Sequence, residues 1–85
     1  MKIDIDYLDF QSLILYAMRY ALGRKTFAVS DVAEMIEDHM QELNKSTMEL
    51  MVRDIEKESE RHNLGMEMDK KIWLDLVVKL KGRLK

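Results

Sequence analysis

Eighty-five residues with a formal net charge of −2 suffice for one hydrophobic core and not two, so residues 1–85 are expected to form a single domain. A content of 47% hydrophobic and 35% charged residues belongs to a folding chain rather than a disordered one. The absence of cysteine excludes disulfides and thiolate metal sites, and with three glycines and no proline the chain between turns is strongly helix-forming.

The N-terminal stretch Met1 to Asp6 carries acids where a signal peptide has a basic head and an apolar run. The first helix is predicted from about Tyr7 to Leu22, started by Asp6 and stopped by Gly23 as a C-terminal cap. Its segment Leu13 to Leu22 has only Arg19 as a polar residue, so this helix is expected to be central and the most buried. The same segment is far short of the ~20 apolar residues that span a bilayer, which points to a cytoplasmic protein with no membrane partner. The linker that follows alternates weakly, with Phe27 and Val29 on one side, and allows one short β element at 25–29.

The second helix is predicted from Ser30 or Asp31 to about Leu43, with Val32, Met35, Ile36, His39, Met40 and Leu43 recurring at three- and four-residue steps. Asn44 and Lys45 turn the chain, and Ser46 with Glu49 has the form of a capping box opening a third helix that runs to about Arg61 or His62. Met48, Met51, Val52 and Ile55 form its inward stripe, while Glu56 to Arg61 are expected in solvent. A loop around Gly65 follows, in which Met66 and Met68 alternate with Glu67. Asp69 is predicted to cap a fourth helix with an apolar stripe of Trp73, Leu76, Val77, Leu80 and Leu84, fraying at Gly82. The expected fold class is therefore all-α, a compact bundle of about four helices.

Reactive site grammar is missing. Ser30 and Ser46 read as helix caps, no Gly-x-Ser-x-Gly elbow occurs, and no glycine-rich turn is present to cradle a phosphate. His39 lies on the apolar stripe of the second helix and reads as a hydrogen-bonded, partly buried side chain. His62 follows Glu58 by one helical turn, but two ligands do not complete a metal site, and a histidine at a helix C-terminus is also favoured by the macrodipole. No catalytic residue, cofactor or metal site is assigned, and the protein is not expected to be an enzyme.

Charge distribution is the most informative remaining feature. Between Thr26 and Asn44 there is no Lys or Arg, and Asp31, Glu34, Asp38 and Glu42 step by three or four onto one helix face. Acids near a helix N-terminus account for part of this. The sharper reading is an acidic face that competes for the basic groove of a nucleic-acid-handling protein. Met66 and Met68, beside Leu64, supply an adaptable contact patch. The second helix, the turn at Asn44 and the third helix also have the order of a helix-turn-helix, whose second helix enters DNA. Glu49, Asp54, Glu56, Glu58 and Glu60 outnumber Arg53, Lys57 and Arg61 on that helix, which makes direct nucleic-acid binding unfavourable. A third possibility is a self-assembling module, a homodimer through the fourth-helix stripe with Met66 and Met68.

The phrase Arg19-Tyr20-Ala21-Leu22-Gly23-Arg24-Lys25-Thr26-Phe27, with Val52-Arg53-Asp54-Ile55-Glu56 and then Asp69 and Trp73, resembles a family of short proteins encoded in phages and prophages of Gram-positive bacteria. The resemblance spans about Leu13 to Leu76 and brings no catalytic residues with it. It implies an accessory inhibitor or adaptor acting in the host cytoplasm on a host protein, a CRISPR-associated nuclease being one candidate in the manner of anti-CRISPR proteins. The net charge of −2 departs from wholesale DNA mimicry, so a local acidic face is required.

Overall fold

The computed structural model describes residues 6–24, 29–62 and 64–85, and among these it is all-α: α1 (Tyr7–Arg24), α2 (Val29–Asp38), a 3-10 turn (Met40–Glu42), α3 (Lys45–Glu60) and α4 (Glu67–Leu84). Most of the β element expected at 25–29 lies outside the described residues, and Val29 is the buried first residue of α2. No described helix is long and apolar enough to cross a membrane.

One core holds the described helices together. Met18 of α1, Ile36 of α2, Met51 and Ile55 of α3, and Trp73, Leu76 and Leu80 of α4 are all but inaccessible to solvent. The stripes predicted for α3 and α4 are the buried ones, and the interior methionines Met18, Met40, Met48 and Met51 fill the gaps between branched residues. α1 and α4 each pack against both α2 and α3, and α3 with α4 makes the most extensive interface. The body measures 37 × 32 × 17 Å. Its thin dimension is less than two helix diameters of about 10–12 Å each, so every helix keeps a face in solvent.

That shape overturns the expectation for α1. Of its described side chains only Gln11, Ile14, Met18, Ala21 and Leu22 are buried, whereas Tyr7, Leu8, Leu13, Tyr16 and Tyr20 stand in solvent. Apolar composition all round a helix does not bury it when neighbours cover one side only. α3, with Thr47, Met48, Met51, Val52 and Ile55 buried in a shorter helix, is the better-covered one.

Several boundaries also move. Asp6 does start α1, its carboxylate accepting from the Leu8 N–H (3.3 Å) and its carbonyl from the Phe10 N–H (2.8 Å). Gly23 does not stop it; the helix continues to Arg24, and Gly82 likewise sits inside α4. Around both glycines the space a Cβ would take is open, so each is simply an exposed helical position. α2 starts at Val29 rather than at Ser30 or Asp31, and ends at Asp38, not Leu43. α3 begins one residue before the expected capping box: the Asn44 carboxamide oxygen accepts from the Thr47 N–H (2.8 Å), and Ser46 lies exposed in the first turn. α4 starts at Glu67 after an uncapped Met66, so Asp69 is a first-turn residue and not the cap.

The junction between the 3-10 turn and α3 is satisfied by Gln11, a buried polar residue on α1. Its Nε2 donates to the Glu42 carbonyl (2.6 Å), and its Oε1 accepts from the Asn44 N–H (2.9 Å). In a continued α-helix the Glu42 carbonyl would receive the N–H four residues on. The Gln11 amide takes that place, and Asn44 is released to cap α3.

Replacing Gln11 by alanine orphans both backbone groups and is expected to lower stability by about 2 kcal/mol in urea titration. Asn44→Ala is expected to cost about 1 kcal/mol in the same assay, whereas Ser46→Ala should cost less than about 0.5. A larger loss at Ser46 than at Asn44 would reinstate the capping box.

Candidate functional site

Asp31, Glu34 and Asp38 all lie exposed on one face of α2, separated by steps of three and four residues. None of the three has a hydrogen-bond or ion-pair partner among the described residues. The remaining acid of the helix, Glu37, is held by Lys79 of α4 at 2.7 Å. Glu42 is exposed but no longer in helical line with the others. It sits on the 3-10 turn, and its carboxylate meets Nδ1 of His39 at 3.0 Å. The edge of the Phe10–His39 ring pair (centroids 5.8 Å apart, planes at 69°) fixes that imidazole further. His39 is therefore a half-buried side chain with two neighbours, anchoring the end of the acidic face.

The helix boundary changes the electrostatics of this face. Carboxylates are favoured at a helix N-terminus and disfavoured at its C-terminus, by about 0.3–1 kcal/mol at exposed positions. Asp31 obeys this rule. Because α2 stops at Asp38, Asp38 lies at the unfavourable end, in a last turn without a basic residue. Glu37 gains Lys79 in compensation; Asp38 gains nothing among the described residues. The dipolar explanation of the acidic run thus covers its beginning and fails at its end.

Met66 and Met68 are 78% and 77% exposed. Met66 is the N-cap of α4 and Met68 is helical, so the extended piece predicted there is absent. Met68 borders a shallow, open groove of about 690 Å³ formed with Glu67, Lys70, Lys71, Leu74 and Asp75, all from α4. Lys79, the α4 residue that reaches α2, lies about 16 Å further along the helix than Met68 at 1.5 Å per residue. The predicted contact residues therefore fall on two surfaces, an acidic one on α2 and an apolar one at the start of α4.

α3 presents a different balance from the one its composition implies. Asp54 is tied to Arg19 of α1 (2.7 Å), Glu56 to Lys81 of α4 (2.7 Å) and Glu58 to Arg61 (3.7 Å). These three acids are half-buried, while Lys45, Glu49, Arg53, Lys57, Glu60 and Arg61 are exposed. The solvent side of α3 is accordingly more basic than its sequence, and Glu56 to Arg61 are only partly solvated.

His62 takes a left-handed backbone conformation (φ 54°) after α3, its N–H donating to the Ser59 carbonyl at 3.0 Å. It borders a hollow of about 230 Å³ with Ser59, Leu64, Gly65, Glu67 and Lys70. Among the described residues no group of three or more histidines and carboxylates is gathered closely enough to hold a metal ion. The sequence had no signal for the buried Gln11 or for the exposed aromatic side of α1. Tyr16 and Tyr20 look like core residues until the neighbours of α1 are known.

No protein-family model, curated protein or solved structure matches this chain. What the fold and surfaces define is an all-α bundle with an acidic face on α2.

The left-handed residue closing α3 favours glycine over any residue with a Cβ. His62→Gly is expected to raise stability by about 0.5–1 kcal/mol in urea, and Gly65→Ala, at φ 89°, to lower it by about 1 kcal/mol.

Proposed function

We propose that this protein works by contact rather than catalysis, setting the acidic face of α2 against a basic surface of a nucleic-acid-handling host protein. The supporting observation is Asp38, an exposed carboxylate at the wrong end of a helix dipole with no compensating base among the described residues. With Asp31, which the helix N-terminus favours, and Glu34, it forms a row of acids without ion-pair partners among the described residues. A local cost without a local gain is what a surface shaped for a partner carries. A complementary basic groove supplies the missing counter-charges and speeds association through long-range attraction. The likeness to phage and prophage proteins supports an inhibitor or adaptor role, with a CRISPR-associated nuclease among the targets whose nucleic-acid groove has the required charge.

The test is charge reversal. Glu34→Lys with Asp38→Lys is expected to weaken capture of the host partner by at least about tenfold, leaving the helical circular dichroism unchanged. Binding of the unaltered protein should fall steeply as salt rises past about 0.15 M. Full binding by the reversed variant sinks the proposal.

A second reading rests on α3. With Asp54 and Glu56 drawn into interhelical ion pairs and Glu58 paired with Arg61, its exposed Lys45, Arg53 and Lys57 outnumber Glu49 and Glu60 by one. This face has the sign required to meet nucleic-acid phosphates. A mobility shift at low salt that is lost in Arg53→Glu would establish this reading; no shift at micromolar protein would eliminate it. The α2 face is preferred because its charges are unopposed, whereas those on α3 are mixed.

A further inference from the structure

We propose that the solvent side of α4 pairs in antiparallel fashion with α4 of a second copy of this chain, Lys71 of each copy meeting Asp75 of the other. The inward side of α4 is fixed by Trp73, Leu76, Val77 and Leu80, the stripe that composition offers for assembly, and it is spent on the protein's own core. At about 100° per residue the opposite side carries Met68, Lys71, Asp75, Val78 and Gly82. Their alternating steps of three and four residues are those of a seam between two paired helices. All five positions are exposed, Met68 at 77% and Val78 at 70%. Lys71 and Asp75 stand one helical turn apart, yet neither has an ion-pair partner among the described residues. Two opposite charges are thus held on one line of the helix with nothing in the fold to neutralise them.

Charge complementarity selects both the occupant and its direction. A two-fold axis level with position 73 sets Lys71 against Asp75 and Met68 against Val78, and each contact occurs twice, as a two-fold interface requires. A parallel pair would oppose lysine to lysine and aspartate to aspartate, which is unfavourable, and would align the helix dipoles instead of opposing them. Leu74 is half-buried beside the seam and shares the shallow groove with Met68, Lys71 and Asp75. It lies next to the axis, so the exposed parts of the two Leu74 side chains meet there. Gly82 falls opposite position 64 of the other copy, where the loop before that copy's α4 passes, and the space its Cβ would take is open. The two helices overlap from Glu67 to Lys79, about 18 Å at 1.5 Å per residue. A contact of this length belongs to the class below about 1,200 Å², that of weak and reversible association, and a dissociation constant on the order of 100 μM is expected.

Sedimentation equilibrium over a concentration series reaching about 1 mM tests this directly. The unaltered protein is expected to dimerise. Asp75→Lys makes both charged seam positions basic, and Lys71→Asp makes both acidic. Each variant alone is expected to weaken the dimer at least about tenfold, with the helical circular dichroism retained. An equimolar mixture of the two is expected to dimerise within about threefold of the unaltered protein, because each copy then faces its opposite charge. Variants that had merely lost their fold would not be rescued by mixing. A mass that stays monomeric to the top of the series overturns the proposal, as does a dimer indifferent to both substitutions. A mixture no tighter than its components also overturns it, by removing the antiparallel register. Charge reversal on α2 should leave the mass unchanged, so failure of either proposal is separable from failure of the other.

Discussion

The junction between α2 and α3 depends on one buried amide. Gln11 projects from α1 into the junction between α2 and α3, donates to the carbonyl of Glu42 and accepts from the N–H of Asn44. Buried backbone groups without partners are costly, so a chain that turns beside a hydrophobic core needs some side chain in this role. By satisfying both groups at once, Gln11 stabilises the junction where the 3-10 turn ends and α3 begins. Asn44, held by its backbone, is then free to cap α3 with its side chain. Leu43, between the two contacts, is buried with the core. A single polar residue on α1 thereby satisfies the backbone where the 3-10 turn gives way to α3.

The charges follow from that geometry. Among the described residues three ion pairs bridge helices, Arg19 to Asp54, Lys79 to Glu37 and Lys81 to Glu56. Exposed pairs of this kind add at most about 1 kcal/mol each, so the core and not these pairs holds the fold. Their larger effect is on what the surface displays. They withdraw acids from α3 and one acid from α2, leaving α3 more basic than its composition and α2 with a clean row of carboxylates. Asp38 shows the link most clearly: its position is unfavourable only because α2 stops there.

Much of the helical plan was legible in the residues because periodicity reports which side of a helix is apolar. Met48, Met51, Val52 and Ile55 on α3, and Trp73, Leu76, Val77 and Leu80 on α4, step at helical spacing and are buried. Helix ends were less legible. Gly23 and Gly82 look like stops, yet glycine is tolerated inside a helix at a modest cost and both stand in open space there. Ser46 and Glu49 have the form of a capping box, but Asn44 lies nearer the turn that Gln11 stabilises and caps first. Of the candidate contact residues, Asp31, Glu34 and Asp38 share the predicted face, while Glu42 leaves it for the 3-10 turn.

By itself the sequence determined that the chain is helical, that its stripes must meet in a common core, and that an acid-rich segment precedes a base-rich end. Those properties are local: helix propensity, apolar spacing and charge order act between residues a few positions apart. Only the tertiary structure decided which side of the nearly all-apolar α1 is covered, because Ile14 and Tyr16 are equally able to pack and only the positions of α2 and α3 choose between them. It likewise decided which carboxylates stay unpaired, since each interhelical ion pair joins residues at least 25 positions apart and spacing along the chain carries no information about them.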